Sequence, residues 1–532
     1  MPSRLKLAES ISSSMFLSLT LALSLFTATA TALEEPPAVN FFIKEFKVTG
    51  NNPLEEAETQ ALLNRFTGEH FGLEGLQAAA DELESRLRAR GFAFYRVTLI
   101  PQELQEGIIE FEVSEFNIDQ VVVEGNEFFS EQNILDSAPG LESGSTPNTS
   151  FLSRAINMAN EQPSKLVKLT FSESESGAAI DAKLKVDDQN PDFFFFNLNN
   201  TGTDDTGEFR LTGAYNMSNL MDKDHNLTLT YTLSPDEIDV VSQFGAFYSI
   251  PDYRQGTKWS FFVADSDVET GVIGNTGLSI SGQGTVLGGN WNKRLLQVGA
   301  YKQAFDVGFT HKAFETPDAF SSATSEIVSR PLKLAYSGSY LTTVYNLSFN
   351  IEYNMNISGG SNNEDADYLA FNCPVITGTC SGTADWSTIR YGVNYQRFIE
   401  NWIVRVSLSG QQTSDQLISG EKYGVGGSSS VRGFEERSIL GDSGMQFNIE
   451  AWLPAYTEYK IRPVIFFDSA SVDREFDSLN VLDEDLASLG GGVRWSWKNR
   501  LNISADLGYV ITGAGNVDDG DVRLHLDMFY RL

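Results

Sequence analysis

A glycine- and serine-rich stretch, Tyr423 to Gly444, holds the most distinctive chemical groups of this sequence, YGVGGSSSVRGFEERSILGDSG. Glycine loses backbone entropy and gives a helix or central strand no side chain to pack, so the stretch is predicted to be a long loop. Within it, Arg432 places a permanent cation next to the aromatic Phe434. Such a cation needs water or a carboxylate. The stretch alone allows both a surface hairpin with a solvated arginine and a loop whose charge is held elsewhere in the protein.

The other reactive side chains do not form the pattern of a catalytic or metal site. The two cysteines, Cys373 and Cys380, lie in a glycine- and threonine-rich segment and could close a small disulfide loop in a secreted chain. The four histidines are scattered, and the sequence has neither a nucleophile elbow nor a phosphate-binding loop. We therefore predict no enzyme activity, no cofactor and no metal.

Length, charge and the first residues restrict the class of protein. A chain of 532 residues is too long for one ordinary domain, and a net charge of -33 argues against nucleic acid as a partner. Residues 1–32 have a basic start, an apolar centre and small residues for cleavage, which is typical of a secretory signal. No later stretch is apolar for long enough to form a transmembrane helix. The mature chain is thus either soluble outside the cytoplasm or a membrane barrel.

The residues that follow contain an internal duplication. Ile43 to Asn51 (IKEFKVTGN) and Ile118 to Asn126 (IDQVVVEGN) align without gaps at a spacing of about 75 residues. Each copy is predicted to fold as β-α-α-β-β, the first over 41–115 and the second over 116–189. In the first copy, Pro53 is predicted to take the first helical position. Each unit would be a three-stranded sheet covered by two helices, and such a sheet has open edges.

From residue 192 to residue 532 the helical period is replaced by alternation of apolar and polar residues. Sixteen such segments can be counted, and Val522 to Leu532 is the clearest. A soluble sandwich also alternates and is an alternative on this ground alone. Seven tryptophans between Trp259 and Trp497, together with alternating short and long loops, favour a membrane barrel with aromatic girdles. Sixteen strands would leave an aqueous lumen.

Taken together, these features resemble the two-partner secretion transporters, the hemolysin activation and secretion class of the POTRA-barrel superfamily. The resemblance implies two tandem β-α-α-β-β POTRA modules followed by a 16-stranded antiparallel transmembrane β-barrel over 192–532. The local motifs that carry it are Pro101-Gln102 with Gly107, Gly426-Gly427, Val431-Arg432-Gly433-Phe434 and Gly441-Asp442-Ser443-Gly444.

The resemblance also gives the loop a position. It implies that a loop of about 416–441 folds into the barrel, with Arg432 at its tip facing Asp468 of a Phe-x-Asp-x-Gly strand motif. Phe466 fits that motif, whereas Ala470 replaces its glycine and is expected to shift the loop tip slightly. A lumen aspartate must be hydrated or paired, and a guanidinium can bind it through two hydrogen bonds. Residues 33–41 are too few for a plug helix, so the folded loop is expected to be the main obstruction.

The function implied is export of a partner protein. Members of the family lie in the bacterial outer membrane, surrounded by its lipid, with POTRA modules in the periplasm and long loops outside the cell. The resemblance implies that the modules recognise the amino-terminal secretion domain of a large β-helical exoprotein, which then crosses the barrel without nucleotide hydrolysis. We expect a monomer. The alternative within the superfamily is an outer-membrane protein assembly or insertion factor. A passive porin would need neither the modules nor the loop.

Overall fold

The computed structural model describes most of the chain after residue 39. The described residues are 40–103, 106–203, 206–267, 271–273, 278–280, 283–315, 326–372, 382–456, 460–473, 484–498 and 500–532. The predicted signal segment 1–32, residues 33–39 and both cysteines, Cys373 and Cys380, lie outside the described residues. The signal, the short linker and the disulfide therefore stay predictions.

The first module is a three-stranded sheet covered by two helices. Its elements are β1 (Asn40–Ile43), β2 (Glu45–Gly50), α1 (Glu56–Leu63), β3 (Gly68–Phe71), α2 (Glu74–Ala89), β4 (Tyr95–Leu99) and β5 (Ile108–Glu115). The central strand β5 pairs in parallel with β2 and antiparallel with β4. The helices cover one face of this sheet, and Phe46, Leu83 and Phe111 are fully buried in the core between them.

Two details of this module differ from the sequence prediction. First, β1 and β3 form an additional two-stranded pair, which the β-α-α-β-β pattern did not include. Second, the prediction that Pro53 occupies the first helical position is wrong, because α1 begins at Glu56. The Asn52 side chain accepts a hydrogen bond from the backbone N–H of Leu54 at 3.2 Å, and such a local asparagine turn competes with helix formation.

The second module repeats the arrangement. Its elements are β6 (Ile118–Glu124), α3 (Glu131–Asp136), α4 (Thr149–Ala159), β7 (Lys165–Glu173) and β8 (Ile180–Asp188). Here β8 is central, parallel to β6 and antiparallel to β7. The duplicated Gly-Asn ending has a structural cause: Gly50 and Gly125 have φ of +79° and +87°, and a Cβ there would lie 2.2 Å and 2.5 Å from the carbonyl oxygens of Val113 and Val186. Only glycine fits this position.

The motif of Pro101-Gln102 and Gly107 shapes the connection from β4 to β5. The Gln102 side chain donates to the carbonyl of Glu110 and accepts from its N–H, both at 2.8 Å, as a neighbouring strand would. Gly107 has a φ of +80°, and its carbonyl accepts a hydrogen bond from the N–H of Lys44 at 2.8 Å. The motif thus joins the sheet edge to the start of the module.

The remainder of the chain forms the barrel and its loops. The elements are β9 (Asp192–Asn199), β10 (Arg210–Leu220), β11 (His225–Leu233), β12 (Ser242–Asp252), β13 (Thr257–Ser266), β14 (Gly271–Ile273), β15 (Leu278–Ile280), β16 (Gly284–Arg294), β17 (Tyr301–Glu315), β18 (Glu326–Ser329), β19 (Pro331–Leu341), β20 (Tyr345–Asn356), α5 (Asp365–Asn372), β21 (Ser387–Ile399), β22 (Trp402–Gln412), β23 (Tyr423–Val425), β24 (Ile439–Gly441), β25 (Ser443–Trp452), β26 (Arg462–Asp473), β27 (Glu484–Trp497), β28 (Leu501–Thr512) and β29 (Val522–Arg531).

The barrel is closed and antiparallel, and its last strand pairs with its first. Asp527 to Arg531 of β29 lie opposite Asn199 to Phe195 of β9. Strands β18 and β19 both pair with β17 and are separated by one residue, so together they count as one strand. The closed sheet then has sixteen strands, which confirms the predicted fold class and excludes the sandwich. No helix in the described part of the chain is long and apolar enough to span a membrane.

The two faces of the barrel wall have opposite chemistry. In β25, Phe447 and Ile449 point outward and are exposed, whereas Gln446, Asn448 and Glu450 point into the lumen and contact the folded loop. An exposed apolar face and a buried polar face are typical of a membrane barrel. The tryptophans do not all lie in the predicted aromatic girdle. Trp259, Trp402 and Trp497 are exposed on the outside, but Trp386 is buried and Trp452 lies within 6 Å of two arginine side chains.

The second module docks on the rim of the barrel through a buried polar contact. Lys165 of β7 donates to Asp224, in the turn before β11, at 2.5 Å and to Asn133 at 2.8 Å, and both ionic side chains are buried. The Tyr253 hydroxyl donates to the same carboxylate at 2.6 Å. Burial lowers the pKa of the Lys165 ammonium, against the attraction of Asp224, and burial beside that carboxylate raises the pKa of Tyr253.

Candidate functional site

The long loop between β22 and β25, residues 413–442, folds back into the barrel. A short 3-10 turn spans Ser419–Glu421, after which β23 and β24 pair as a narrow antiparallel ribbon. The tip, residues 426–438, contacts lumen side chains of β25, β26, β28 and β29. The glycine- and serine-rich stretch of the sequence is therefore an inward-folded loop in the structure and not a hairpin in solvent.

Two glycines let the chain turn where the ribbon ends. Gly426 and Gly427 have φ of +103° and +101°, in the region that favours glycine. A Cβ on Gly426 would lie 2.6 Å from the carbonyl oxygen of Glu435, and one on Gly427 would lie 2.2 Å from a carboxylate oxygen of Glu436. That carboxylate also accepts hydrogen bonds from the N–H and the hydroxyl of Ser428, each at 2.7 Å. These contacts make the tip compact.

Arg432 at the tip forms a two-point contact with Asp468 of β26. Its Nε lies 2.7 Å from Oδ2 of Asp468 and its Nη2 lies 2.8 Å from Oδ1, while its backbone N–H donates to Oδ2 at 3.2 Å. The guanidinium also stacks on Phe466, with its Cζ 3.4 Å from the ring centroid. Both ionic side chains are buried. This fork geometry is available to arginine and not to lysine.

The arginine belongs to a larger charged cluster on the lumen wall. Its Nη1 donates to Glu450 at 2.7 Å and to Asp506 at 3.4 Å. Arg494 binds Asp506 through two contacts of 2.6 Å and 2.8 Å, and Arg405 lies 3.7 Å from Glu450. The cluster contains three guanidinium groups, of Arg405, Arg432 and Arg494, and three carboxylates, of Glu450, Asp468 and Asp506. The charges balance only while the loop is seated.

The loop backbone next to Arg432 rests directly on the barrel wall. Gly433, with a φ of +106°, donates its N–H to Nε2 of His525 at 3.0 Å. A Cβ on Gly508 of β28 would lie 2.6 Å from the carbonyl carbon of Arg432 and from the nitrogen of Gly433. The wall therefore needs glycine at 508 to let the loop approach this closely.

An apolar cluster holds the other side of the tip. Val431 and Phe434 are fully buried in it. The cluster consists of Val425, Val431, Phe434, Ile439, Ala470, Val472, Leu486 and Val510. Each fully buried side chain of this kind stabilises the seated loop by roughly 1.5–3 kcal/mol. The methyl of Ala470 belongs to the cluster, and its effect on the position of the tip stays a prediction.

The base of the loop is fixed by the Gly441-Asp442-Ser443-Gly444 turn. The Asp442 carboxylate accepts a hydrogen bond from the N–H of Leu417 at 2.8 Å, which ties the two arms of the loop together. A Cβ on Gly441 would lie 2.8 Å from the carbonyl oxygen of Asp473, and one on Gly444 would lie 2.8 Å from the Tyr423 ring. Both glycines thus permit close packing at the point where the ribbon meets β25.

Sequence reasoning missed a second ionic contact, formed by Glu421 in the short 3-10 turn that precedes the ribbon. The buried carboxylate of Glu421 lies 2.9 Å from Nζ of Lys312 and 3.7 Å from a guanidinium nitrogen of Arg390, and it accepts a hydrogen bond from Ser329 at 2.8 Å. Lys312 and Ser329, two of these partners, precede Glu421 by 109 and 92 residues. The local sequence therefore gave no signal for the contact, which depends on closure of the barrel.

Sequence reasoning also missed an apolar cluster that packs against the same part of the loop. Leu417 and Ile418 of the loop are fully buried against Trp386 and Tyr368, which belong to the segment between β20 and β21. The outer part of the loop is thus held by an ion pair and by an apolar cluster, as its tip is. In the described part of the chain, no group of three or more histidine, cysteine, aspartate or glutamate side chains could hold a metal ion.

The closed barrel, the two modules and the seated loop together define a membrane barrel protein with POTRA modules. Residues 179–509 match the family described as haemolysin secretion/activation protein ShlB/FhaC/HecB, and residues 41–115 match the ShlB-type POTRA domain. The first match covers more than half of the chain, which therefore belongs to the haemolysin secretion/activation family. The predicted family and the predicted location in the outer membrane, with the POTRA modules on its periplasmic side, are confirmed.

Curated relatives and solved structures agree with this assignment. The heme/hemopexin transporter protein HuxB of Haemophilus influenzae (strain 86-028NP) is 19% identical over 494 residues, covering 88% of this chain and 83% of HuxB. The outer membrane transporter CdiB of Escherichia coli O6:K15:H31 is 23% identical over 423 residues, covering 76% of this chain and 67% of CdiB. The structure of CdiB from Escherichia coli has a TM-score of 0.75 at 18% identity, covering 95% of this chain and 93% of that chain. That of CdiB from Acinetobacter baumannii has a TM-score of 0.70 at 15% identity, covering 94% and 91%.

Proposed function

We propose that this transporter acts as a monomer, recognises a large β-helical exoprotein through its periplasmic modules, and exports that protein through the barrel without nucleotide hydrolysis. The observation that carries the proposal is the contact between Arg432 and Asp468. It holds the tip of the loop inside the lumen through a two-point side-chain contact, with distances of 2.7 Å and 2.8 Å. A contact of this kind fixes the loop in one place, yet it can break when a chain enters and form again afterwards.

The modules supply the surface for recognition. The sheet of the second module has β6 and β7 as its outer strands, and in the described residues neither pairs with a second strand on its far side. An extended segment of the partner can add to such an edge, because backbone hydrogen bonds provide affinity without demanding a particular sequence. The buried contact of Lys165 with Asp224 keeps this module beside the barrel mouth, so a bound segment lies close to the lumen.

Transport then needs a bias in direction, which folding of the partner can supply. A chain that emerges unfolded and then buries its apolar surface outside the cell is removed from the transport equilibrium by mass action. ATP is not needed for such a bias. The decisive experiment uses the purified protein in liposomes, with an amino-terminal secretion-domain fragment of a large β-helical exoprotein from the same organism. Uptake of that fragment without nucleotide is expected, and its absence with correctly folded protein would refute autonomous transport.

The seam between β9 and β29 bears on the alternative of an insertion factor. Beyond the five register pairs, the N–H of Asn200 donates to the Leu526 carbonyl at 3.3 Å, and the N–H of Leu532 donates to the Phe194 carbonyl at 2.9 Å. The seam is therefore hydrogen-bonded at both ends, which favours passage through the lumen. Photo-cross-linkers placed along 193–200 and 522–532 should capture little of a partner in transit. Strong capture there, with none in the lumen, would favour insertion.

The role of the loop as the main obstruction has its own test. Deletion of residues 428–437 removes Arg432 and the apolar anchor Phe434 while leaving the ribbon of β23 and β24 in place. We expect the deletion to raise the conductance of the protein in planar bilayers several-fold. An unchanged conductance would show that another part of the chain closes the lumen.

A further inference from the structure

A cavity of about 560 Å³ lies between helix α4 of the second module and the barrel. It is bordered by one face of α4 and by the adjoining parts of β16, β17, β19 and β20. The Asn157 side chain of α4 donates to Gln297 at 3.1 Å and accepts from Lys302 at 2.9 Å. Glu161 of the same helix pairs with Arg294 at 2.8 Å. These contacts fix both sides of the cavity at the end of the barrel that faces the modules.

The barrel side of the cavity belongs to the lumen. In β19, Leu334 and Tyr340 are exposed on the outside, so the alternation of the strand turns the residues between them with odd numbers inward. Four polar side chains of β19 and β20 line the cavity: Ser337, Ser339, Ser348 and Asn350. Within the described ranges, none of these four side chains is hydrogen-bonded to another protein group. Their hydroxyls and amide are therefore available to a ligand.

Two cations that line the cavity, Arg154 of α4 and Lys302 of β17, form no ion pair with a carboxylate among the described residues. Arg154 keeps only 7% of its exposure. Its Nη2 donates to the carbonyl of Arg254 at 2.9 Å, but its Nε has no hydrogen-bond partner in the part of the chain that the structure describes. Burial lowers the pKa of this guanidinium, against the attraction of Asp252. Arg154 is thus a buried cation that lacks an anion.

The cavity has the opposite charge to the protein as a whole. Its lining contains three cations, Arg154, Arg294 and Lys302, and one carboxylate, Glu161, whereas the chain has a net charge of -33. Glu161 is moreover shared between Arg294 and Lys258, at 2.8 Å and 3.1 Å. A buried charge is costly unless it is paired, and a cleft lined by one sign of charge concentrates the opposite sign. The cavity is therefore suited to an anionic ligand.

We infer that this cavity binds an aspartate or glutamate side chain of the exported polypeptide as that polypeptide passes from the second module into the lumen. This inference rests on the proposed export function. A carboxylate accepts hydrogen bonds from a guanidinium, an ammonium and hydroxyls, which Arg154, Lys302 and the lining serines supply. A strand is about 4.8 Å by 10 Å in cross-section and advances about 3.3 Å per residue, so the cavity accommodates roughly three residues. It fits a short extended segment and not a folded domain.

The binding test uses the folded protein purified in detergent and two short peptides with blocked ends that differ only in charge. One peptide alternates serine with aspartate, the other alternates serine with asparagine, and each carries an uncharged fluorophore. Fluorescence anisotropy is expected to show at least tenfold tighter binding of the aspartate peptide. Because the chain as a whole is negative, such a preference requires a local cationic site. Equal affinity for the two peptides would overturn the inference.

Substitutions locate the binding. Lys302→Gln on the barrel and Arg154→Gln on α4 each remove one cation from the cavity, and each should weaken binding of the aspartate peptide at least fivefold. Lys333→Gln is the matched control, because Lys333 lies on the inner face of β19 but outside the lining of the cavity, and it should change binding less than twofold. If Arg154→Gln undocks the second module, Lys302→Gln decides. An equal loss in the control would show that lumen charge in general attracts the peptide, and would overturn the site.

Export in cells separates the inference from the function on which it rests. Lys302→Glu should slow export of the partner at least fivefold, whereas Lys333→Glu should change it less than twofold, at equal amounts of heat-modifiable barrel in the outer membrane. Normal export by Lys302→Glu would overturn the role of the cavity in transport and leave the proposed function intact. If the wild-type protein exports no partner but still prefers the aspartate peptide, the proposed function fails and the cavity remains a carboxylate site.

Discussion

Substitution of Arg432 gives the sharpest test of the seated loop, because the residue joins the tip to three carboxylates. Removing it leaves Asp468 fully buried with two remaining hydrogen-bond donors, the amide of Asn448 at 2.9 Å and the backbone N–H of residue 432 at 3.2 Å. The balanced cluster of three cations and three carboxylates then carries one excess negative charge. Breaking a buried pair by removing one partner costs about 3–5 kcal/mol.

The lower end of this range applies, because the cluster borders an aqueous lumen and the Glu450 side chain keeps 14% of its exposure. Each step of about 1.4 kcal/mol is a factor of ten, so about 3 kcal/mol raises the ratio of displaced to seated loop roughly 100-fold. Arg432→Lys retains the charge but not the two-point contact, and should give roughly a tenfold change. The assay is the fraction of time that single barrels in planar bilayers spend in the high-conductance state.

Arg437 provides the matched control within the same loop, since its guanidinium donates to the backbone carbonyl of Lys422 at 3.2 Å. Arg437→Ala should change the open fraction less than threefold. In cells, Arg432→Ala should reduce export far more than it reduces assembly of heat-modifiable barrel. The reasoning is refuted if Arg432→Ala behaves like the control in bilayers, or if export and assembly fall together.

Three further substitutions test contacts elsewhere. Lys165→Met leaves the buried carboxylate of Asp224 on the barrel rim without its cation and should weaken docking of the second module by about 3–5 kcal/mol, measured by hydrogen exchange. The control Lys183→Met removes an ion pair with Glu124 that is about half exposed, and should cost less than about 1 kcal/mol. Glu421→Gln removes the charge of the outer ionic contact and should increase protease cleavage of the loop from the outside several-fold, with barrel assembly unchanged. Gly508→Ala places a methyl 2.6 Å from the loop backbone and should unseat the tip by about 1–3 kcal/mol, while Gly491→Ala, whose Cβ meets its nearest atom at 3.5 Å, should leave the bilayer conductance unchanged.

Much of the fold follows from local sequence patterns. Alternation of apolar and polar residues is a property of neighbouring positions, so the sixteen strands could be counted before their pairing was known. The duplicated Gly-Asn ending marked the two modules as a local pattern, although the structure shows that glycine is needed there both for its positive φ and because a Cβ would meet a carbonyl oxygen of the neighbouring strand. The extra pair of β1 with β3 and the true start of α1 were missed. The start of α1 depends on a weak local preference that the Asn52 turn reverses, whereas the pairing of β1 with β3 joins two segments on either side of α1.

The site divides in the same way. The sequence by itself predicted a loop over residues 423–444 with a cation that needs a partner, because glycine content and fixed charge are local properties, whereas the structure begins the loop at residue 413 and places Ser443 and Gly444 in β25. The family resemblance implied Asp468 as the partner of Arg432, but only the tertiary structure added Glu450 and Asp506 to it and brought Glu421 into a second ionic contact. The physical reason is that these contacts join residues on strands far apart in the chain. Their distances are set by the closure and register of the barrel, which no local pattern of residues encodes.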